Sequence, residues 1–262
     1  MNDIKQIYHY RFLEKIGDGA FGEVFKSQHC YTHSMVAIKC EEKQANTHLL
    51  KNESIIYQYL KGLHGIPVLR WFGQNDTHSF MVMDLLGYSL QQVVTTHGKL
   101  SLPIVRQLMT KMLYIVQSIH TKGLVHRDLK PAHFLFDATN DGHALYLVDF
   151  GLCKKSAGSN LHSATTSFVG SMNYASIRAH HWLELGIKDD LESLGYIMIF
   201  LYCGTLPWSN MTRTEEIVDA KVTLLDHDLP DVLVKYLKYV RKLSVQDVPD
   251  YERLIHIMSQ QM

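Results

Sequence analysis

The sequence predicts an α+β protein. Strand-like segments crowd its first third, helical periodicity governs the rest, and one polar stretch between them carries the reactive side chains. Met35 to Cys40, Trp71-Phe72-Gly73 and Phe80-Met81-Val82-Met83 are short and apolar, with β-branched or aromatic residues, as strands are. From Ser101 the apolar positions Val105, Leu108, Met109, Met112, Ile115, Val116 and Ile119 recur at helical spacing and stop at Gly123. Leu124 to Gly151 reads L-V-H-R-D-L-K-P-A-H-F-L-F, a polar link, then L-Y-L-V-D-F-G. Asn140-Asp141-Gly142 lies between two apolar runs, 134–136 and 144–148, which predicts a hairpin. That hairpin would hold Asp128 and Asp149 at one mouth.

The totals set bounds. A chain of 262 residues can bury a substantial core as one large domain or two lobes. Lys plus Arg equals Asp plus Glu at 26 each, so no global field attracts nucleic acid or an anionic membrane. Met1 to Lys5 leads into no apolar core segment, so no secretory leader is expected. The longest apolar run, Tyr196 to Cys203, falls far short of the roughly 20 residues that span a bilayer. Cys30, Cys40, Cys153 and Cys203 show no C-x-x-C spacing. Reduced thiols in a cytoplasmic or nuclear protein are expected, with a Cys30–Cys40 bridge as the alternative. The sixteen histidines include no H-E-x-x-H zinc pattern.

In chain order, Leu13 to Phe25 contains Gly17, Gly19 and Gly22 as G-x-G-x-x-G, with Val24 two positions on. Dinucleotide folds use the same letters but need a helix next; here strands follow, which favours a glycine flap over ATP phosphates. V-A-I-K ends at Lys39. A strand lysine is ordinarily an edge residue with its head in water, but behind a glycine flap it is positioned to meet phosphate. Its partner should be a helical carboxylate. Asn46-Thr47 can cap a helix through Leu60, on which Glu53, Ile56 and Leu60 share a face. Glu53 is therefore the candidate, while Glu41 and Glu42 are expected to face solvent. Asn75-Asp76 turns between strands, and Asp84-Leu85-Leu86-Gly87 breaks the pattern as a hinge. Backbone groups of Asp84 and Leu86 would meet an adenine edge there, with Met83 behind them.

Beyond Gly151, Leu152 to Phe168 has the Ser, Thr, Lys and Gly content of a mobile segment, in which Ser163, Thr165 and Thr166 are available for phosphorylation. Asp190 to Cys203 is too apolar all round for a surface helix and should be buried, ending at Gly204-Thr205-Leu206-Pro207-Trp208. The remainder alternates charged and apolar residues at helical spacing.

H-R-D-L-K followed by D-F-G is the protein-kinase signature pair. The chain resembles a eukaryotic-type protein kinase and is most similar to the casein kinase I group. That group is marked by Y-A-S-I at 174–177 in place of A-P-E and by D-D-L-E-S-L-G-Y at 189–196. G-I-P at 65–67, M-V-M-D-L-L-G at 81–87, L-P-W at 206–208 and P-D-Y at 249–251 match as well. The resemblance covers nearly the whole chain. It implies a bilobal kinase fold, with a small β-rich N-lobe carrying one main helix (1–84) and a larger, mostly helical C-lobe (85–262). ATP would lie between the lobes. The group acts on protein serine and threonine, often near acidic or phosphorylated residues, and its long C-terminal tail is not matched here. A monomer is expected.

The resemblance also assigns roles. Ile16, Gly17, Gly19, Gly22, Val24, Ala37, Lys39, Glu53, Met83, Asp84, Leu86, Leu135 and Asp149 would surround ATP. Lys39, oriented by Glu53, would hold the α/β-phosphates, and Asp149 would bind Mg²⁺. Asp128 would orient the substrate hydroxyl and accept its proton, Lys130 would steady the γ-phosphate, and Ser171 would support both. Asp190 and His126 would brace the loop. Two positions depart from the pattern. His133 stands where the group has an Asn that ligates the second Mg²⁺; imidazole is a softer ligand than that ion prefers, so Mn²⁺ becomes a possible metal. Asn173 stands where an Arg helps bind phosphate on primed substrates, leaving Arg178 and Lys188 nearby as solvated surface cations. Two readings follow: an active kinase with altered metal preference, or a nucleotide-binding pseudokinase that acts as a regulatory module.

Overall fold

The computed structural model describes residues 6–19, 22–43, 49–138, 144–156, 167–226 and 228–259. The chain forms two compact units, 1–88 with 135–151 and 89–134 with 152–262. The strand pair before Asp149 thus belongs with the N-terminal unit. The architecture is α+β, with a β-rich N-terminal region and a mostly helical C-terminal one, as the sequence predicts.

The first unit is built on β1 (Gln6–Ile7), β2 (Tyr10–Gly19), β3 (Gly22–His29), β4 (Met35–Glu42), β5 (Leu69–Gln74) and β6 (His78–Asp84). They form one antiparallel sheet in the order β1-β2-β3-β4-β6-β5. Side chains alternate along β4. Val36, Ile38 and Cys40 join Tyr10, Phe80 and Val82 in an apolar core on one face. Ala37, Lys39 and Glu41 point to the other face and are buried too; α1 (Leu49–Tyr59) meets Lys39 through Glu53 and Glu41 through the Leu50 N–H. Leu50, Glu53, Ser54 and Tyr57 form the buried stripe of α1, which packs on β5 and β6. Glu41 does not face solvent, contrary to expectation: it is 8% exposed and its Oε2 accepts the Leu50 backbone N–H at 3.1 Å. The first turn of a helix has N–H groups with no intrahelical acceptor, and a carboxylate there is doubly favoured. The Asn46-Thr47 cap falls outside the described residues. β7 (Leu86–Ser89) pairs with β9 (Phe134–Asp137), which pairs with β10 (Leu145–Leu147). The turn expected at 140–142 lies outside the described residues.

The second unit is helical: α2 (Leu90–His97), α3 (Leu102–Thr121), α4 (Ile177–His180), α5 (Ile187–Cys203), α6 (Thr214–Val222), α7 (Asp231–Lys242) and α8 (Tyr251–Ser259). A small antiparallel pair joins β8 (Leu124–Val125) to β11 (Lys154–Lys155). α5 is the central rod: every residue from Asp189 to Leu201 is buried, and α3 and α7 pack along it. A Cβ on Gly195 would sit 2.4 Å from Leu237 Cδ2, so glycine there allows the α5–α7 approach. Gly204 stops α5 in the left-handed conformation, φ 82°. Arg178 and Lys188 are not the freely solvated cations expected. Arg178 Nη2 donates to Glu184 O at 3.0 Å and Lys188 Nζ to Leu243 O at 2.6 Å. All four cysteines are free thiols, so no Cys30–Cys40 bridge forms. Among the described residues no helix is long and apolar enough to cross a membrane.

Candidate active site

In the first unit, pairing register arranges the sequence-predicted nucleotide residues. Directly opposed residues of antiparallel strands share a face. Gly17 pairs with Val24, Val24 with Lys39 and Ala37 with Met83. Gly22 is held to glycine by packing: its φ is 121°, and a Cβ there would lie 2.0 Å from Cys40 O. Its part in the flap is therefore to let β3 close on β4. Gly19 pairs with Gly22 at the hairpin end, and Ile16 is an exposed residue of β2. Leu86 and Leu135, on β7 and β9, are half-buried. The Asp84 carboxylate is occupied, accepting Val68 N at 2.9 Å and Arg70 Nε at 2.8 Å.

Lys39 is the centre of this unit's polar cluster. Although 8% exposed, it sits on an inner strand. Its Nζ donates to Glu53 Oε2 at 2.8 Å and to Asp149 Oδ1 at 2.9 Å. Burial works against the ammonium, but Glu53 and then Asp149 more than offset it, and its pKa is held above the ordinary lysine value. Burial pushes the Glu53 carboxyl up, with Lys39 pulling against it. Glu53 Oε1 also accepts Phe150 N at 3.2 Å, so one side chain orients the lysine and anchors the D-F-G backbone. Sequence reading missed Tyr57: its hydroxyl accepts Asp149 N at 3.2 Å, and its ring meets Phe150 edge-on, centroids 5.0 Å apart. Its place four residues after Glu53, on the same helix face, was the available signal. Asp149 itself has φ 67°, a costly conformation for a non-glycine residue that its neighbours hold in place.

In the second unit, the loop from His126 to His133 carries the other candidates. Asp190, fully buried on α5, accepts His126 N at 2.7 Å and Arg127 N at 2.9 Å. Its Oδ2 also lies 2.9 Å from His120 Nε2, and His120 Nδ1 bonds the Tyr251 hydroxyl. Burial alone would raise the Asp190 carboxyl; the His120 hydrogen bond and charge, with His126, bring it below its ordinary value. These bonds support Arg127 at φ 69°. His126 Nδ1 accepts Asp128 N at 3.3 Å. The Asp128 carboxylate is gripped at both oxygens: Ser171 Oγ donates to Oδ1 at 2.6 Å and Lys130 Nζ to Oδ2 at 3.2 Å. His133 is buried in a short 3₁₀ turn, Pro131–His133. Its Nδ1 is 2.9 Å from Asp128 O. A carbonyl only accepts, so that nitrogen carries the proton. Among the described residues no three His, Cys, Asp or Glu side chains converge as a metal cage.

The description "protein kinase domain" fits residues 10–247, whose family model the chain matches. The chain belongs to the protein kinase family. As a kinase domain it is built to bind a nucleotide, and divalent metal use is general in the family. The donors present suit that chemistry. Mg²⁺ is usually held by one or two carboxylates together with substrate phosphate oxygens, with no all-protein cage. The Asp149 carboxylate lies 2.9 Å from the Lys39 ammonium.

Proposed function

We propose that this kinase domain is an ATP-dependent serine/threonine protein kinase similar to the casein kinase I group. The observation that carries the reading is the Lys39 ammonium bonded at once to Glu53 and Asp149. Supporting it are the two-sided grip on the Asp128 carboxylate and the group's Y-A-S-I and D-D-L-E-S-L-G-Y segments. Lys39 would hold the α/β-phosphates; Ile16, Val24, Ala37, Met83 and Leu135 would line the base, with backbone groups of Asp84 and Leu86 at its edge. Asp149 would hold Mg²⁺, which when bound neutralises phosphate charge. Ser171 fixes Asp128 Oδ1, and Oδ2, which accepts from Lys130 through one lone pair, would use its other lone pair to orient a substrate hydroxyl and take its proton. The hydroxyl oxygen then forms its bond to the γ-phosphorus as the β–γ bridge breaks, releasing ADP. Lys130, 3.2 Å from Asp128 Oδ2, would stabilise the transferring group.

A second reading rests on His133. An Asn at that position can donate to a carbonyl and present an oxygen to a metal. His133 keeps the donated bond to Asp128 O but supplies nitrogen in place of oxygen. The loop brace survives and a hard-ion ligand is lost, which favours an active enzyme with shifted metal preference over a pseudokinase. The test is radiolabelled phosphate transfer to casein with Mg²⁺ and Mn²⁺ in parallel. Wild type should transfer better with Mn²⁺, and His133→Asn should raise the Mg²⁺ rate. Activity that survives Asp128→Asn would be contamination, and the pseudokinase reading would replace this one.

A further inference from the structure

Lys221, on α6, is wholly enclosed at 0% exposure. Its Nζ donates to Met172 O at 2.8 Å and Ala175 O at 2.7 Å, and lies 2.8 Å from His180 Nε2. The ammonium also stands over the rings of Tyr196 and Trp208, 4.9 and 5.3 Å from their centroids. Trp208 Nε1 donates to Asn173 O at 2.8 Å. Carbonyls of residues 172, 173 and 175 are thus all held from one side. Among the described residues no carboxylate forms an ion pair with Lys221. Burial pulls its pKa down to about 7, with Glu192 opposing and Arg241 adding to the fall. An enclosed cation without a counter-ion is costly, so its bonds must secure something that an apolar side chain would not.

What they secure adjoins the reacting groups. The segment starts at Ser171, whose hydroxyl donates to Asp128. Tyr174 N and Ala175 N both bond back to Ser171 O, at 2.9 and 2.8 Å. Gly170, φ 101°, lies against the loop so closely that a Cβ would meet Arg127 O at 2.7 Å. A peptide that brings its hydroxyl to Asp128 must lay its neighbouring residues along this segment. We propose that Lys221 is the positioning residue for protein substrate: by tying down Met172–Ala175 from beneath, it fixes the surface that receives residues flanking the target hydroxyl.

This rests on the kinase reading above, and the test separates the two. Affinity for a fluorescein-labelled acidic casein peptide and for ATP is measured for wild type and Lys221→Met, beside thermal melts and peptide-phosphorylation kinetics. Losing the donated bonds should weaken peptide binding about tenfold and raise peptide KM in parallel, with ATP affinity within about twofold of wild type. Lys221→Arg, which restores a cation and donors, should recover most of the loss. Unchanged peptide affinity in a folded Lys221→Met variant would overturn the proposal, as would equal losses for peptide and ATP. Should that variant not fold, His180→Ala leaves both carbonyl bonds and must still weaken peptide binding about twofold to threefold, each bond being modest; no change there overturns the proposal too. A wild type that binds peptide but transfers no phosphate sinks the kinase reading and leaves the binding comparison decisive for Lys221.

Discussion

Replacing Glu53 with Gln probes the centre of the first unit with almost no change in shape. Glu53 offers one oxygen to Lys39 Nζ at 2.8 Å and the other to Phe150 N at 3.2 Å. Both partners are donors, while a glutamine has only one acceptor oxygen. Whichever way the amide turns, one donor faces another donor. The loss is one charge-assisted hydrogen bond, about 1.5–3 kcal/mol, plus weakening of the second. Two effects offset it. Lys39 keeps Asp149 at 2.9 Å, and the burial cost already expressed in the raised Glu53 carboxyl is relieved. The net expectation is about 2 kcal/mol of lost stability, below the 3–5 kcal/mol for leaving a buried charge wholly unpaired. For a chain of this size that lowers Tm by roughly 4–8 °C, read by scanning calorimetry. Lys39 would then lean more on Asp149, and titration calorimetry should show ATP binding with Mg²⁺ weakened about tenfold or more, following the lost orienting bond. A Tm within about 1 °C of wild type, with ATP affinity unchanged, would refute the role of this cluster.

Two further expectations concern the second unit. Asp190→Asn places an amide donor against the His126, Arg127 or His120 donors that the carboxylate satisfies; it should cost about 3–4 kcal/mol in urea unfolding and speed hydrogen exchange at the Arg127 amide. An unchanged exchange rate there would mean the loop is braced by something else. Lys221 titrates near 7 when folded but near 10.4 unfolded, so the unfolded chain binds more protons between those values and stability rises with pH across that window. From pH 7 to pH 9 wild type should gain roughly 2 kcal/mol relative to Lys221→Met; parallel curves would show that Lys221 is not held at so low a value.

Much was legible because local pattern and burial agree. The uninterrupted apolar run of 196–203 left α5 nowhere to go but the interior. The i, i+3, i+7 stripe of α1 singled out Glu53, and it does meet Lys39. Glycines at 17, 19 and 22 followed by strand residues announced a hairpin rather than a βα turn. Glu41 was misjudged because an acidic residue at a strand end is normally wet; that it caps α1 depends on how the helix returns across β4. Sequence reading singled out neither Tyr57 nor His120, since their hydrogen-bond partners lie at Asp149, Asp190 and Tyr251.

The sequence by itself determined the class of fold and several of its principal strands and helices, because periodicity and short motifs are local properties of the chain. Only the tertiary structure decided which charges are buried and what each one touches. T-E-E-I-V-D-A-K-V reads as a surface helix, and Lys221 becomes an internal clamp solely because carbonyls 46 and 49 residues away close around it. Desolvation and hydrogen-bond satisfaction are set by the whole packed neighbourhood, and no window of sequence contains it.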